Sequence, residues 1–549
     1  MTIPRNWRPA CLLLVGLILT AQGVAQDSAS TAEDSVAAKH PAGLPEASGE
    51  SKFATPLAQG MQLYYQRDLT KAAAKFKEAA DPGGPESAAA YAWLSRMQLM
   101  LRQSVEAAVS ANKALQLDKD LPTAQSAVGE VLYRLGKLTE AQEVFRRIAL
   151  TGKPDARAYL GLAKIHWATG NYLSAKQVID RAHALDPDDP EIFSRWLGTL
   201  PGTERLAALK SRLASAPKDS PYSKALEHMI AARDNTALQS VPACKLVSTA
   251  SSTRLGLESL WRGPNQLGGY GIPIKLNDAK ANLQVDTGAF GIIVNTRIAQ
   301  KAGLQRSSDI GLGGIGDNGP LSGYLAHADT ITIGDLQFTD CYVQVVEHLR
   351  MQDEDGLIAT SVLEDFLVDL DFPAKEMRLS PLEPLQDIPS PTLSLHSEMP
   401  IKPNLHNRTI PDKYADFEKV YRIGRYLLIP TRVNDSRPEL FLLDTGAWDN
   451  VIAPGFAREV VKVSESPGKV SGLAGEVKNV YQTDELTLTF GNFQQHRQRL
   501  LAIDLKAASN SAETEISGIL GFAMLWILDV KLDYRDHLVD FQLDPNRPH

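Results

Sequence analysis

The pattern of apolar and polar positions divides the chain into a helical part and a strand-like part. Between residues 53 and 190, small and large apolar residues stand three and four positions apart, which places them on one face of a helix. The first small residue of each set returns at steps of 35, 34 and 34 residues, at Ala72, Ala107, Ala141 and Ala175. One helix pair cannot bury such a face alone. The pattern therefore predicts stacked helix pairs that share a continuous core.

This period, with its small–large–small order, resembles the tetratricopeptide repeat. Gly136 and Gly170 stand where the turn between paired helices belongs. The resemblance implies an all-α solenoid over residues 53–235 with about four repeats, the segment 190–235 acting as a helical cap. Surfaces of this kind generally bind a protein or peptide, so we expect a protein partner for this region.

From about residue 266 the apolar period changes to short alternating runs between glycine turns, which is typical of β-strands. Two such segments, residues 266–382 and 419–545, flank a stretch at 383–418 that is rich in proline and has no sustained period. That stretch predicts a linker.

The two strand-like segments carry the same landmarks in the same order. In the first, Asp371 follows Gly356 by 15 residues. In the second, Asp533 follows Gly518 by the same 15 residues. Several shared landmarks of this kind are hard to explain as chance and indicate an internal duplication.

Each copy contains the triplet Asp-Thr-Gly between two apolar runs, at 286–288 and at 444–446. An ionisable side chain between buried strands costs free energy unless it forms hydrogen bonds or ion pairs, or has a functional role that offsets the cost. The glycine two residues later allows the backbone to turn tightly. One such triplet is weak support for a site, because all three residues are common in turns. Two copies in matching apolar frames are much stronger.

These frames resemble the catalytic loops of aspartic proteases, and the stretch 444–452 looks most like the retroviral type (retropepsin-like). The resemblance implies an all-β bilobal fold in which each lobe supplies one catalytic carboxylate, Asp286 and Asp444. Two carboxyls that share a site hold one proton between them and can activate a water to hydrolyse a peptide bond.

The same resemblance implies supporting roles for the neighbouring residues. Thr287 and Thr445 match the threonines whose hydroxyls cross-brace the two loops, and Gly288 and Gly446 match the turn glycines. The first copy departs from the family pattern at one packing position, where Ala359 replaces the usual glycine.

Other interpretations stay open at this stage. Each Asp could cap a turn in a purely structural β-barrel, or the fold could serve as a non-catalytic peptide-binding protein or scaffold. Loss of either Asp would indicate a non-catalytic binding protein, and both aspartates are present. Each lobe could also pair with the same lobe of another chain, although two lobes on one chain make an internal pair simpler.

Length, charge and composition argue against several other classes of protein. At 549 residues the chain is too long for a single core, and its net charge of −8 argues against nucleic-acid binding. The eleven histidines show no His-Glu-x-x-His spacing, and three cysteines cannot build a structural zinc site. We therefore expect neither a cofactor nor a metal, and a peptide or protein as substrate.

The first 25 residues have the charge, apolar core and small-residue pattern of a secretory signal peptide. An uncleaved membrane anchor is the alternative, although the apolar core is short for a full span. Residues 26–50 have few apolar anchors and predict a disordered leader. We expect export, to the periplasm or beyond it, with no stable membrane insertion after cleavage. An exported compartment permits a disulfide between Cys244 and Cys341, and two buried thiols are the alternative.

Overall fold

The computed structural model describes residues 12–13, 19–20, 55–80, 83–151, 153–216, 220–234, 244–263, 266–313, 321–346, 355–383, 392–393, 406–466, 470–472, 475–477 and 479–543. The predicted signal peptide and leader lie outside these residues, apart from two-residue strands at Leu12–Leu13 (β1) and Leu19–Thr20 (β2). The chain forms two compact units, one of residues 23–240 and 401–407 and the other of the remainder.

The first unit is helical, as the apolar period predicts. Consecutive helices pack against one another. All four alanines that mark the repeat, from Ala72 to Ala175, are completely buried. In chain order the helices are α1 Pro56–Tyr65, α2 Leu69–Ala80, α3 Ser87–Met100, α4 Ser104–Leu117, α5 Pro122–Arg134, α6 Leu138–Ala149, α7 Ala156–Ala168, α8 Tyr172–Leu185, α9 Pro190–Gly198, α10 Gly202–Ser215 and α11 Pro221–Asp234.

Large rings fill the space that small residues leave between these helices. A Cβ atom at Gly129 would lie 2.5 Å from the ring of Phe145, and one at Gly161 would lie 2.3 Å from the same ring. Neither distance is tolerable for a real side chain, so both glycines are required for the ring to pack between α5, α6 and α7. This contact explains the alternation of small and large residues along the repeat.

Buried charges in the helical unit form a compensated network. The Glu130 carboxylate receives Arg96 Nε at 3.0 Å and Arg157 Nη2 at 3.1 Å. Arg157 also pairs with Asp189 at 3.2 Å and with Glu191 at 2.8 Å. Burial alone would raise the pKa of Glu130, but the two arginines outweigh it and lower that pKa. Each buried charge in this network thus has an opposite charge in contact.

Part of the predicted proline-rich linker also belongs to the helical unit. The Leu173 backbone N–H donates to the His406 carbonyl at 3.1 Å, and the Ser174 N–H donates to Asn407 Oδ1 at 3.0 Å. These bonds satisfy amides in the first turn of α8, which have no partners of their own inside the helix. The remainder of residues 384–405 lies outside the described residues, except for one short strand.

The second unit is built mainly of strands: β3 Cys244–Leu246, β4 Thr253–Gly256, β5 Glu258–Gly263, β6 Gln266–Leu276, β7 Ala279–Asp286, β8 Ile292–Asn295, β9 Gln305–Gly313, β10 Leu321–Ile333, β11 Leu336–Val346, β12 Gly356–Ala359, β13 Phe366–Asp371, β14 Glu376–Pro381, β15 Thr392–Leu393, β16 Glu418–Lys419, β17 Tyr421–Ile423, β18 Tyr426–Val433, β19 Glu439–Asp444, β20 Val451–Ile452, β21 Val463–Glu465, β22 Val470–Gly472, β23 Gly475–Val477, β24 Tyr481–Thr483, β25 Leu486–Phe490, β26 Phe493–Gln498, β27 Leu501–Ala502, β28 Gly518–Gly521, β29 Asp529–Asp533 and β30 Leu538–Gln542. Its short helices are α12 Thr296–Lys301, α13 Pro454–Val460, α14 Lys506–Ser511 and α15 Phe522–Leu525, with 3₁₀ turns at Thr360–Leu363 and Asp412–Tyr414.

These strands form two lobes with the same topology. In the first lobe β7 runs parallel to β12, and Asp286 lies opposite Ala359. In the second lobe β19 runs parallel to β28, and Asp444 lies opposite Gly521. A six-stranded sheet joins the lobes, with β13 of the first antiparallel to β29 of the second. The predicted all-α region followed by an all-β bilobal region is thereby confirmed.

Strand structure begins earlier than the boundary at residue 266 that the sequence pattern predicts. The segment from Cys244 to Gly263 contains three strands whose Ser- and Thr-rich sequence gives little local signal. These strands form because they pair with distant ones; for example, Thr253 lies opposite Leu379. Cys244 and Cys341 are joined by a disulfide with their Cα atoms 4.5 Å apart, which settles the alternative that the sequence left open.

Among the residues that the structure describes, no helix has both the length and the apolar character needed to cross a membrane.

Candidate active site

Asp286 and Asp444 each stand at the carboxyl end of a buried strand. The inward positions of β7 before Asp286 are apolar and buried, and β19 is buried along nearly its whole length. The two aspartates are only 0% and 1% exposed. Each strand therefore carries its Asp into the interior of the β unit, where an ionised carboxylate is costly.

Both carboxylates are held in the same way by the turn that follows them. The backbone N–H groups of Gly288 and Ala289 donate to Asp286 Oδ1 at 2.8 and 2.9 Å. The N–H groups of Gly446 and Ala447 donate to Asp444 Oδ1 at 3.0 and 3.1 Å. Oδ2 of either aspartate receives no hydrogen bond from a protein donor within the described part of the chain. One oxygen of each carboxylate is thus fixed and the other is available.

The two threonines lock the loops together. Thr287 Oγ1 donates to the Leu443 carbonyl at 2.8 Å and accepts the Thr445 N–H at 2.9 Å. The reciprocal bonds run from Thr445 Oγ1 to the Val285 carbonyl at 2.8 Å and from the Thr287 N–H to Thr445 Oγ1 at 3.1 Å. These four buried bonds fix each catalytic loop relative to the other.

The cross-brace brings the carboxyl groups face to face. A Cβ atom at Gly288 would lie 2.5 Å from Asp444 Cγ, so a glycine is required at the point of closest approach. Burial, and then the negative charge of Asp444, raise the pKa of Asp286 well above its ordinary value. Burial raises the pKa of Asp444 to about 7. Two such groups cannot both ionise easily near neutral pH, so the pair retains one proton.

Ala359 stands where the second copy has Gly521, and its methyl group fits beside the loop of the first lobe. The Ala359 N–H donates to the Gly291 carbonyl at 2.9 Å, and Ala359 is fully buried. In the second lobe a Cβ at Gly521 would lie 2.4 Å from the Asp449 carbonyl oxygen. The extra methyl is therefore tolerated in the first lobe, whereas the second lobe has no room for it.

Sequence reasoning passed over polar residues near the dyad that break the equivalence of the lobes. Gln284, two residues before Asp286, is buried and its amide has no partner among the described residues, whereas the second lobe has Leu442 there. Asp449 and Asn450 follow Asp444, at positions where the first copy has Gly291 and Ile292. Aligning the copies residue by residue would have revealed these differences.

The described residues contain no cluster of three or more His, Cys, Asp or Glu side chains that could hold a metal ion.

This arrangement defines a class: a two-lobed β-protein with one aspartate from each lobe at a shared, cross-braced centre. Residues 272–362 and 429–524 match the family model of aspartyl proteases. Residues 57–122 and 128–190 match that of the tetratricopeptide repeat. The β unit thus matches the retropepsin-like aspartyl protease model in two segments, one in each lobe, and segments that match the tetratricopeptide repeat precede it. Both resemblances predicted from the sequence are confirmed.

Among solved structures, a thermophilic TPR protein of Thermus thermophilus is 25% identical to this chain. The match covers 32% of this chain and 96% of that protein, with a TM-score of 0.26. No curated protein matches the chain.

Proposed function

We propose that the protein is an aspartic endopeptidase that hydrolyses peptide bonds with a water activated by Asp286 and Asp444. The observation that carries this proposal is the pair of facing carboxyl groups. Each is fixed through Oδ1 by two backbone N–H groups and has Oδ2 available. A structural turn cap would need only one such carboxylate and would not place a second like charge against it.

The shared proton sets the reaction. The ionised carboxylate accepts a proton from a water bound between the two aspartates while the water oxygen bonds to the peptide carbonyl carbon. The protonated carboxyl donates its hydrogen to the carbonyl oxygen, which would otherwise carry the developing negative charge. Transfer of a proton to the amide nitrogen then allows the C–N bond to break, giving an acid and an amine. The pair ends with one proton, as it began.

The Thr287–Thr445 cross-brace supports this chemistry through positioning. It holds the two carboxyl groups in contact, so the shared proton and the water need no rearrangement of the loops during the reaction. Gly288 has the same role, because any side chain there would push Asp444 away.

The test is cleavage of a diverse peptide library by the purified protein, from acidic to neutral pH, with products identified by mass spectrometry. Asp286→Asn and Asp444→Asn keep the size of the side chain and an acceptor oxygen for the loop N–H groups. We expect each to lower the rate by roughly 10²–10⁴-fold. Asp435→Asn, which removes an exposed charge from the second lobe, is the matched control and should cleave normally.

The opposite result would identify a peptide receptor. If the wild type binds peptides without cleaving any of them, and both Asn variants bind equally well, the protease assignment is wrong.

We further propose that the helical repeats recruit a protein or peptide partner and that the protein is exported, to the periplasm or beyond. The N-terminal charge and apolar pattern supports export, as does the Cys244–Cys341 disulfide, since such bonds persist in oxidising compartments. Cell fractionation with N-terminal sequencing tests this. A mature chain in the cytoplasm that retains its first residues would contradict it.

A further inference from the structure

The six-stranded sheet that joins the two lobes carries a second pair of carboxyl groups in contact. In this sheet β13 of the first lobe runs antiparallel to β29 of the second, and Asp369 lies opposite Lys531. Asp529 stands two residues before Lys531, on the same face of β29, and is therefore a diagonal neighbour of Asp369. The Asp529 carboxyl is a hydrogen-bond partner of Asp369. The contact thus connects one lobe directly to the other.

The oxygens of these two carboxyl groups are bonded in matching ways. Arg378 Nη1 donates to Asp369 Oδ2 at 3.0 Å, and Lys531 Nζ lies 3.2 Å from Asp529 Oδ2. Oδ1 of each carboxyl is buried and receives no hydrogen bond from a protein donor in the described part of the chain. Two carboxyl oxygens can bond to each other only through a proton. One proton between the two Oδ1 atoms would satisfy both.

The cations near the pair are too few to neutralise its surroundings. Arg378 forms ion pairs with three carboxylates, and Lys531 with two. The five carboxylates that share these two cations are Asp369, Asp371, Glu376, Asp529 and Asp540. Strand alternation places three more charged residues on the same face: Asp533, Arg254 and Lys419. These residues comprise six acids and four bases, and the excess of negative charge favours a proton on the pair.

We propose that Asp369 and Asp529 hold one proton between them and that this proton is a pH-sensitive clamp between the lobes. In acid, the shared hydrogen bond adds to the backbone ladder of β13 and β29. As pH rises the proton is lost, and two like charges remain in contact across the junction. The sheet between the lobes should then open more readily. The clamp does not depend on whether the dyad hydrolyses peptides.

The pKa of Asp369 gives the pH range over which the clamp is lost. Burial, followed by the hydrogen bond from Asp529 and the negative charge of that residue, raises this pKa to about 6, despite the contact with Arg378. An Asp in the unfolded chain has a pKa of about 4. Because the folded form binds the proton more tightly, the stabilisation is complete below about pH 4 and is lost as pH rises through about 6.

The experiment measures amide hydrogen exchange of the full-length protein by mass spectrometry at pH 5 and pH 8, corrected for the intrinsic effect of pH on exchange. In the wild type, protection of β13 and β29 should fall about tenfold or more between the two pH values, relative to α6 of the helical unit. Asp529→Asn provides an amide N–H that donates to Asp369 at either pH. Its protection at pH 8 should stay close to its value at pH 5.

Two further variants control for effects unrelated to the shared proton. Asp529→Ala removes the bridge and should give low protection in β13 and β29 at both pH values, whereas Asp435→Asn, at an exposed position, should behave as the wild type. Burial also raises the pKa of Asp533 to about 6 and that of Asp444 to about 7. The comparison is therefore repeated in an Asp444→Asn background, and Asp533 is unchanged in every variant.

The outcomes bear on the clamp and leave the protease proposal untouched, because no cleavage is measured. Loss of protection at pH 8 that Asp529→Asn prevents would support the clamp. If the wild type and Asp529→Asn lose protection equally, the effect belongs to another group and the inference is wrong. Protection in the wild type that is the same at pH 5 and pH 8 would also overturn it.

Discussion

The helical unit and the β unit both bury ionisable groups, but they treat them in opposite ways. In the helical unit Glu130 lies between Arg96 and Arg157, and the attraction lowers its pKa. In the β unit Asp286 and Asp444 face each other without a cation, and their pKa values are raised. The first arrangement stabilises a fold, whereas the second stores an unfavourable interaction. Burial of charge alone therefore does not identify a site, while an uncompensated pair does.

The two arrangements of buried carboxyl groups should make the stability of the protein depend on pH in opposite ways. A carboxyl whose pKa is lowered by folding stabilises the protein above its unfolded pKa, about 4.3 for Glu, and that stabilisation is lost as pH falls. A carboxyl whose pKa is raised by folding opposes folding once it ionises. The free energy of unfolding then decreases as pH rises from about 4, the unfolded pKa of Asp, through the raised folded value.

The largest effect is expected from removing the charge at the centre of the helical network. Glu130→Gln leaves Arg96 and Arg157 without their shared partner, and the loss should cost about 3–5 kcal/mol of unfolding free energy at pH 7. Chemical denaturation followed by circular dichroism measures it. Glu106→Gln, at an exposed position of α4, should change the stability little. Equal effects from the two variants would show that the network is not compensated as described.

The same neutralisation in the dyad should have the opposite sign. Asp444→Asn removes a carboxyl group whose ionisation is made unfavourable by burial, and it keeps an oxygen for the Gly446 and Ala447 N–H groups. It should raise the unfolding free energy by roughly 1–4 kcal/mol at pH 7 and by almost nothing below about pH 4, where the carboxyl is protonated in both states. Denaturation curves measured across this pH range test the sign. A variant less stable than the wild type at pH 7 would show that the buried Asp444 carboxylate does not oppose folding.

The cross-brace should stabilise the lobes independently of charge. Thr287→Val removes the acceptor of the Thr445 N–H and the donor to the Leu443 carbonyl, leaving both buried groups unsatisfied. The expected cost is about 1–3 kcal/mol, the same at pH 4 and pH 7. Thr287→Ser keeps the hydroxyl and should recover most of the stability. If serine performs no better than valine, packing rather than hydrogen bonding explains the effect.

Packing in the helical unit should show an effect no larger than that of the cross-brace. Ala141→Leu adds volume at a fully buried helix contact and should destabilise by about 1–3 kcal/mol through overpacking. Ala74→Leu, at an exposed position of α2, is the matched control. Thermal denaturation distinguishes the two. Unchanged stability in Ala141→Leu would mean that the repeat does not pack at that position.

The sequence allows the helical repeat and the dyad to be predicted because their signals are local. The alanine period reports helix contacts directly, and the Asp-Thr-Gly frames occur in two matching copies. The strands between Cys244 and Gly263 could not be predicted, because they depend on pairing with residues far along the chain. The bonds of His406 to α8 within the predicted linker were missed for the same reason.

The residues after the second catalytic loop show a different limit. Asp449 and Asn450 are visible in the sequence, but the side chains that surround them lie between Gln495 and Leu501, about 50 residues along the chain. Only the fold brings these segments together.

The central claim is that Asp286 and Asp444 act as one unit that holds a single proton during catalysis. The pH dependence of kcat/KM for peptide cleavage tests it most directly. A singly protonated pair predicts a bell-shaped profile, in which activity falls on the acidic side as the pair gains a second proton. It falls again at higher pH as the pair loses the shared proton, which burial and the negative charge of Asp444 hold on Asp286. A profile that lacks either limb, or a bell that persists in Asp286→Asn, would contradict the account.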